Sequence, residues 1–291
     1  MITIRRSCAC GDVIQAIPIA KALIARGHDV VFQCVRKLIP VVERFGVKSS
    51  EYVENSIVDV ELDNTYEQYR DLLKFTSIRR WFYDFAFPQL EILGIKLDWE
   101  KVSAPVMPRF ESKKFKAMLE PYKKPWVMIC PRSATPINDV PRNSEIFQCP
   151  TRCVPDETWK KVSKKIVGSC FWLGVHAPAP EGIADLNVRD MREVMGWLDH
   201  ADSIVTVDTG PMHIALAMGI PTFVIYQSID PRMTFEGAQN LTLIQSKLEC
   251  LGCCKLECPI NPKEPPCQAI DSTLIAETVN KFYAPKTDTV L

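Results

Sequence analysis

The sequence predicts an α/β protein built from two doubly wound domains. Runs of β-branched and apolar residues alternate with segments of helical periodicity in both halves of the chain, a pattern typical of parallel sheets covered by helices. The 291 residues suffice for two domains of about 100–150 residues each. A stretch rich in Lys and Pro, residues 101–125, separates the two series and indicates a connector. We place the domains at 1–120 and 121–275, with the end of a C-terminal helix and a tail at 276–291.

The first series opens with a β-α-β unit, which implies parallel strands joined by a crossover helix. The predicted strands are 2–6, 30–35 and 58–62. The predicted helices are Val13–Ala25 and 38–46, the latter closed by Gly46. Pro18 either kinks the first helix or marks its true start. Residues 64–100 are helical and aromatic without an obvious strand, which indicates core packing, with an acceptor pocket as the alternative.

The second series alternates more regularly than the first. Its predicted strands are 126–131, 170–175, 203–208 and 222–227. Its predicted helices are 154–168, 187–201, 211–219 and 273–283, and Asp156 is a candidate N-cap. Two doubly wound sheets follow from this order of elements.

Charge and hydropathy exclude some classes of protein. Lys plus Arg and Asp plus Glu both number 35, which argues against a protein that coats nucleic acid or a membrane surface. No signal peptide and no long apolar run is visible, so we expect a cytoplasmic protein without a transmembrane segment, with peripheral association at the inner face of the membrane as an option. Local basic clusters are either solvated helix faces or contacts for a polyanionic acceptor: 79–80, 113–116, 123–124 and 160–165.

The segment DTGPMH, residues 208–213, lies where a strand gives way to a helix. Ligands of open parallel sheets bind at such carboxyl ends. Gly210 allows close approach, and the free N–H groups of the first helical turn bind anions. Thr209 and His213 add donors, and Asp208 either contacts the ligand or braces the turn. The alternative is a capped helix with a buried histidine.

The segment GDVIQAIP, residues 11–18, follows the first strand in the same way. Gly11 permits close approach of the backbone. Asp12 is either a helix N-cap or a carboxylate that faces a cleft and accepts a proton from an attacking hydroxyl.

Taken together, GDVIQAIPIAKAL, ADSIVTVDTGPMHIALAMGIPTFVIY, the DP at 230–231 and CLGCCKLECP resemble one family in order and spacing. It is glycosyltransferase family 9, the ADP-heptose:lipopolysaccharide heptosyltransferase-like enzymes. The likeness covers most of the chain and is strongest over 201–270.

The resemblance implies a GT-B fold, two Rossmann-like domains facing each other across a cleft. It further implies a nucleotide-diphosphate sugar bound mainly by the C-terminal domain, an acceptor bound mainly by the N-terminal one, and an inverting displacement that needs no catalytic metal or other cofactor. Asp12 matches the proposed general base of the family. Its diphosphate-binding positions match Asp208, Thr209, Gly210 and His213, and Gly11 lies beside the base.

A further donor-site segment of the family carries a basic residue before a W-P-like pair. Arg132 and Arg142 are the candidates in residues 130–143, although the insert at 137–153 departs from the family pattern. Each arginine is alternatively an exposed surface charge. The loop 176–182 follows a strand and either borders the nucleotide base or ribose or simply connects two elements.

Five cysteines lie within residues 250–267. Cys250, Cys253, Cys258 and Cys267 have a spacing that permits a structural zinc site, with Cys254 as the spare. Two disulfides and free thiols are the alternatives. Any role of this segment is structural.

The resemblance implies an inverting glycosyltransferase whose acceptor is a lipopolysaccharide core, another glycan or a lipid-linked saccharide. The open alternatives are a nucleic-acid acceptor such as a modified base in DNA, a non-catalytic nucleotide-binding protein on the same fold, and a nucleotide-sugar epimerase. The sugar, the nucleotide base and the oligomeric state are not determined by the sequence.

Overall fold

A computed structural model describes residues 1–7, 9–63, 65, 77–131, 150–174, 178–255 and 257–285. Its N-terminal part holds a parallel sheet of four strands in the order β3-β2-β1-β4. The strands are β1 (Ile2–Arg5), β2 (Val30–Cys34), β3 (Lys48–Glu51) and β4 (Val60–Glu61). The helices are α1 (Cys10–Ala25), α2 (Ile39–Arg44), α3 (Ile78–Ile92) and α4 (Lys113–Leu119).

The C-terminal part holds a second parallel sheet of six strands in the order β10-β9-β8-β5-β6-β7. The strands are β5 (Trp126–Cys130), β6 (Ser169–Trp172), β7 (Ala184–Asp185), β8 (Ser203–Thr206), β9 (Thr222–Tyr226) and β10 (Leu241–Gln245). The helices are α5 (Asp156–Ser163), α6 (Met191–Leu198), α7 (Gly210–Ala217), α8 (Pro231–Thr234) and α9 (Ser272–Tyr283). The expected α/β class is confirmed, and the predicted domain boundary at residue 120 falls between α4 and β5.

Several local predictions are wrong. Strands β3, β7 and β10 and the short helix α8 were not expected, and α4 lies inside the presumed connector. The N-cap of α5 is Pro155, because the helix already includes Asp156. Helix α1 begins at Cys10, so Pro18 lies within it and does not mark its start.

Helix α1 is the most enclosed helix of the N-terminal part, because it packs against the sheet, α3 and α7. Eleven of its sixteen residues are buried, which explains why the sequence shows an almost continuous apolar run instead of one stripe. Two hydrophobic cores cover the two faces of the six-stranded sheet. One continues into the N-terminal part and includes α1, and the other contains Trp159 and Trp172.

The two parts of the molecule contact each other away from the sheet edges as well. Arg44 of α2 forms an ion pair with Asp199, at the end of α6. Arg109 donates to the carbonyl oxygens of Asp199 and Ala201, at 2.5 and 3.0 Å. Because the side chain of Asp199 is nearly fully buried, these contacts fix the segment that connects the two sheets.

A membrane-spanning helix is not found: among the helices of the described ranges, none combines the length and the apolar character that a span requires.

Candidate active site

The carboxylate of Asp12 lies in the first turn of α1, not at its N-cap. The N-cap is Ala9, which has a left-handed backbone with φ of 61° and makes no side-chain cap. The alternative that Asp12 caps the helix is therefore wrong. Its side chain is buried and accepts a hydrogen bond from Nη2 of Arg6 at Oδ2, at 2.5 Å.

Arg6 is a site residue that the sequence analysis missed. Its side chain is 1% exposed, and besides Asp12 it donates to the carbonyl oxygen of Leu62 at 3.2 Å. The guanidinium also lies over the ring of Phe82, 5.4 Å from its centroid. These contacts hold a planar donor in place, so Arg6 fixes the orientation of the Asp12 carboxylate. Leu62 and Phe82 are distant from Arg6 in sequence, and Asp12 is six residues away across a strand-to-helix turn, so no periodic pattern indicates these contacts.

The turn between β8 and α7 brings a second carboxylate into a buried position. Nη2 of Arg152 lies 2.8 Å from Oδ2 of Asp208 and also donates to the Asp208 carbonyl oxygen at 2.6 Å. Nε2 of His213 lies 3.6 Å from Oδ1 of the same carboxylate. Thr209 is the N-cap of α7 with extended backbone and no side-chain cap bond, and Pro211 lies in the first turn. The free N–H groups in the first turn of α7 therefore lie beside the side chains of Arg152, Asp208 and His213.

Burial of Asp208 acts to raise its pKa, but the Arg152 guanidinium and the nearby His213 ring outweigh burial and hold the pKa below its usual value. Asp208 is therefore a structural anion that orients Arg152 and His213.

Replacement of this anion gives a pH-dependent result. A folded-state pKa below the unfolded value stabilises the protein above the unfolded pKa, about 3.9 for Asp, and that stability is lost as pH falls through the folded pKa. We expect Asp208→Asn to destabilise the protein by roughly 1–3 kcal/mol at neutral pH, and the difference from wild type to shrink below about pH 4. Urea unfolding at several pH values measures this, and a difference that stays constant down to pH 3 would contradict it.

The N-termini of α1 and α7 abut one another, so the two predicted segments do come together. A Cβ added to Gly11 would lie 2.5 Å from Nε2 of His213. A Cβ added to Gly210 would lie 2.9 Å from Cβ of Cys10. The absence of side chains at Gly11 and Gly210 is what permits this approach.

Substitution of Gly11 tests this contact. We expect Gly11→Ala to destabilise the protein by roughly 1–3 kcal/mol, because the new methyl group overlaps the His213 ring. In a His213→Ala background the same substitution should cost much less, since the ring is gone. Urea unfolding of the two single variants and the double variant measures the coupling. Equal costs in both backgrounds would show that the two helices do not meet as described.

A cavity of about 720 Å³ lies beside β6 and β7, with α4 and α6 on its other sides. Gly174 and residues 186–189 bring one end of it to the carboxyl ends of the two strands. Its apolar walls are Phe115, Leu119, Tyr122, Phe171, Leu186 and Trp197. Gly174, Asp185 and Asn187 also line it, and the carboxylate of Asp185 accepts from the backbone N–H of Asn187 at 2.8 Å. An apolar cleft with a few fixed polar groups is typical of sites that bind small molecules.

The remaining predicted residues divide into two groups. Arg132 and Arg142 lie outside the described residues, as does His176 of the loop 176–182. Arg152 precedes the V-P pair at 154–155 and contacts the DTGPMH segment, so it is a third candidate beside Arg132 and Arg142, which stay predictions. The basic residue before a V-P pair was a signal that could have found it.

The four cysteines proposed as zinc ligands form no disulfide in the structure. Burial raises the pKa of the Cys267 thiol to about 11, and Cys258, Cys250 and Cys253 add to that rise. Nowhere in the described ranges, however, do three His, Cys, Asp or Glu side chains form a group that could hold a metal ion. The donor set therefore does not fit a metal in this arrangement, and zinc stays a sequence-based prediction that metal analysis of the purified protein tests.

Residues 186–264 match the family model of glycosyltransferase family 9 (heptosyltransferase). Three solved structures resemble the chain over nearly its whole length. The glycosyltransferase family 9 protein of Veillonella parvula is 13% identical with a TM-score of 0.67, covering 97% of both chains. E. coli ADP-heptose lipopolysaccharide heptosyltransferase II is 14% identical with a TM-score of 0.65, covering 96% of this chain and 97% of the other. E. coli heptosyltransferase WaaC with ADP is 11% identical with a TM-score of 0.60, covering 96% of this chain and 99% of the other.

A search of curated proteins finds no match. The expected GT-B fold is confirmed.

Proposed function

We propose that this glycosyltransferase, heptosyltransferase-like in its family 9 segment and in its fold, inverts the sugar that it transfers from a nucleotide-diphosphate donor to an acceptor hydroxyl. The observation that carries the proposal is the meeting of two helix N-termini. One presents the buried carboxylate of Asp12, and the other begins at Thr209 beside Arg152 and His213. A proton acceptor and a set of anion-binding donors thus lie on opposite sides of one junction.

The donor spans the carboxyl edge of the six-stranded sheet in this proposal. Its diphosphate lies at the N-terminus of α7, against the backbone N–H groups, Thr209 and Arg152. Its base lies in the cavity beside β6 and β7. Strands β8 and β6 are separated by β5 alone, so about 10 Å lies between the two subsites, a separation that a nucleoside diphosphate covers. The WaaC structure described with ADP supports a nucleoside diphosphate as the ligand.

Transfer is a single displacement at the anomeric carbon. The acceptor oxygen bonds to that carbon as its bond to the diphosphate oxygen breaks, and Asp12 takes the hydroxyl proton. Arg6 holds the carboxylate in the required orientation. The leaving diphosphate gains negative charge, which Arg152, His213 and the first turn of α7 offset as preorganised donors. In this scheme these protein groups do the work that a catalytic metal performs elsewhere.

The acceptor side is formed by the N-terminal part, which carries Asp12. We propose a glycan or a lipid-linked saccharide as the acceptor, because the chemistry at Asp12 requires only a hydroxyl that can reach the carboxylate. A base in DNA meets the same requirement less readily, since it must first leave the helical stack.

A donor and acceptor screen tests the proposal. ADP-, UDP- and GDP-sugars are incubated with candidate saccharide acceptors, without added metal and with a chelator, and the product is analysed by NMR. We expect transfer from one nucleotide series with inversion at the anomeric carbon. Retention of configuration, or epimerised donor without transfer, would overturn the proposal.

A further inference from the structure

The turn that carries Arg152 is tied to the cysteine-rich segment, residues 250–267. Gln227 follows β9 and is 2% exposed. Its Nε2 donates to two carbonyl oxygens, that of Cys153 at 2.9 Å and that of Cys267 at 3.3 Å. One amide group therefore joins the residue after Arg152 to the far end of the cysteine-rich segment.

A second link holds the residue before Arg152. The hydroxyl of Thr151 donates to the carbonyl oxygen of Lys255 at 2.8 Å. The backbone N–H of Ser228 donates to the Thr151 carbonyl oxygen at 3.4 Å, and that of Cys254 donates to the Ser228 carbonyl oxygen at 2.8 Å. Both neighbours of Arg152 in sequence are thus bound to the same segment.

Burial makes these links energetically significant. Thr151 and Ser228 are both 1% exposed, so bonds lost here are not replaced by water. Oε1 of Gln227 has no hydrogen-bond partner among the described residues. A buried, unsatisfied acceptor is costly, and an apolar side chain of similar size would avoid that cost while losing both Nε2 bonds. The two hydrogen bonds that the amide donates to the carbonyl oxygens of Cys153 and Cys267 offset the cost of the unsatisfied Oε1.

We infer that Gln227 is a positioning residue for donor binding, which holds Arg152 at the diphosphate site by fixing its turn against the cysteine-rich segment. The inference rests on the proposed function, in which Arg152 binds the diphosphate. It gives the cysteine-rich segment a role as an outer support of the donor site, reached through Gln227 and Thr151.

A double-mutant cycle tests the inference in the full chain. Gln227→Met removes both Nε2 bonds at similar volume, and Gln239→Met is the matched control, since Gln239 is exposed and its Nε2 donates to Gly237 of the same loop. Binding of ADP, UDP and GDP is measured by calorimetry. We expect Gln227→Met to weaken binding of the preferred nucleotide about tenfold and to raise the donor KM without changing the acceptor KM. The control should bind as wild type does.

The Arg152→Ala background separates positioning from a general loss of structure. If Gln227 acts through Arg152, adding Gln227→Met to Arg152→Ala should weaken binding less than about twofold further. A full additional tenfold loss, or a Gln227→Met variant that binds as tightly as the control, overturns the inference. Thr151→Val replaces Gln227→Met if the latter does not fold, with the same expectation. If the Arg152→Ala variant alone binds nucleotide as tightly as wild type, the proposed role of Arg152 at the diphosphate is wrong. That result differs from one in which Arg152 matters for binding but Gln227 does not act through it.

Discussion

Asp12→Asn is expected to lower kcat for sugar transfer by about 10²–10⁴-fold, the usual contribution of a general base. The amide has the size of the carboxylate but cannot accept the proton of the attacking hydroxyl. Donor binding should be nearly unchanged, because the diphosphate contacts proposed here come from Arg152 and the first turn of α7. Steady-state kinetics together with nucleotide calorimetry measure the two effects separately.

Stability must be followed in the same experiment. The substitution leaves the buried Arg6 without a charged partner at 2.5 Å, which costs roughly 1–3 kcal/mol. Asp63→Asn is a suitable control, because Asp63 also faces Arg6, with Oδ1 at 3.8 Å from Nη1, yet lies outside the proposed chemistry. We expect the control to keep most of its activity.

The outcome also decides between an enzyme of the proposed mechanism and the alternative of a nucleotide-binding protein without catalysis. Transfer by Asp12→Asn at a near wild-type rate would show that Asp12 is not the base. Nucleotide binding without transfer by the wild-type protein, over the full range of donors and acceptors, would favour the non-catalytic alternative.

Arg152→Ala is expected to lower kcat/KM for the donor by about 10²–10³-fold, the cost of removing one preorganised donor from a developing anion. It also leaves the Asp208 carboxylate without its nearest cation, and that negative charge then opposes the diphosphate. Weaker binding of the nucleoside diphosphate should account for part of the loss and slower transfer for the rest. Initial rates over a range of donor concentrations separate the two.

Arg192→Ala provides the control, because Arg192 lies on the same half of the molecule and is exposed on α6. It should leave donor kinetics within about twofold of wild type, as expected for a surface charge. If Arg152→Ala leaves kcat/KM for the nucleotide-sugar unchanged, other side chains bind the diphosphate, and the proposed site is wrong.

Much of the fold could be predicted because buried parallel strands are almost continuously apolar. Strands β5 and β8 are buried along their whole length, and their sequences show it directly. Strand β3, with the sequence KSSE, has no buried residue, and it is held by backbone bonds to β2. Such an edge strand carries no hydrophobic pattern that a sequence reading can use. Strand β10 is another edge strand, with a single buried residue.

Some residues of the candidate site could be predicted from the sequence, and others could not. Asp12 and the DTGPMH segment could be found because loops that follow strands meet at one edge of a parallel sheet. Arg6 and Arg152 could not be paired with their carboxylates from sequence alone. The pairing of Arg152 with Asp208 crosses 56 positions and depends on where the loop after β5 returns to the sheet. Ion pairs of this kind follow from the tertiary fold and leave no periodic pattern.

The contact between Gly11 and His213 joins two assemblies that are each complete in themselves. Arg6 and Asp12 both belong to the N-terminal part, while Arg152, Asp208 and His213 all belong to the C-terminal part. The packing of α1 on α7 and the ion pair between Arg79 and Glu236 hold the two groups of side chains against each other. A substitution that separates α1 from α7 at Gly11 would therefore move the Asp12 carboxylate away from Arg152 and His213, while the ion pairs within each part stay intact.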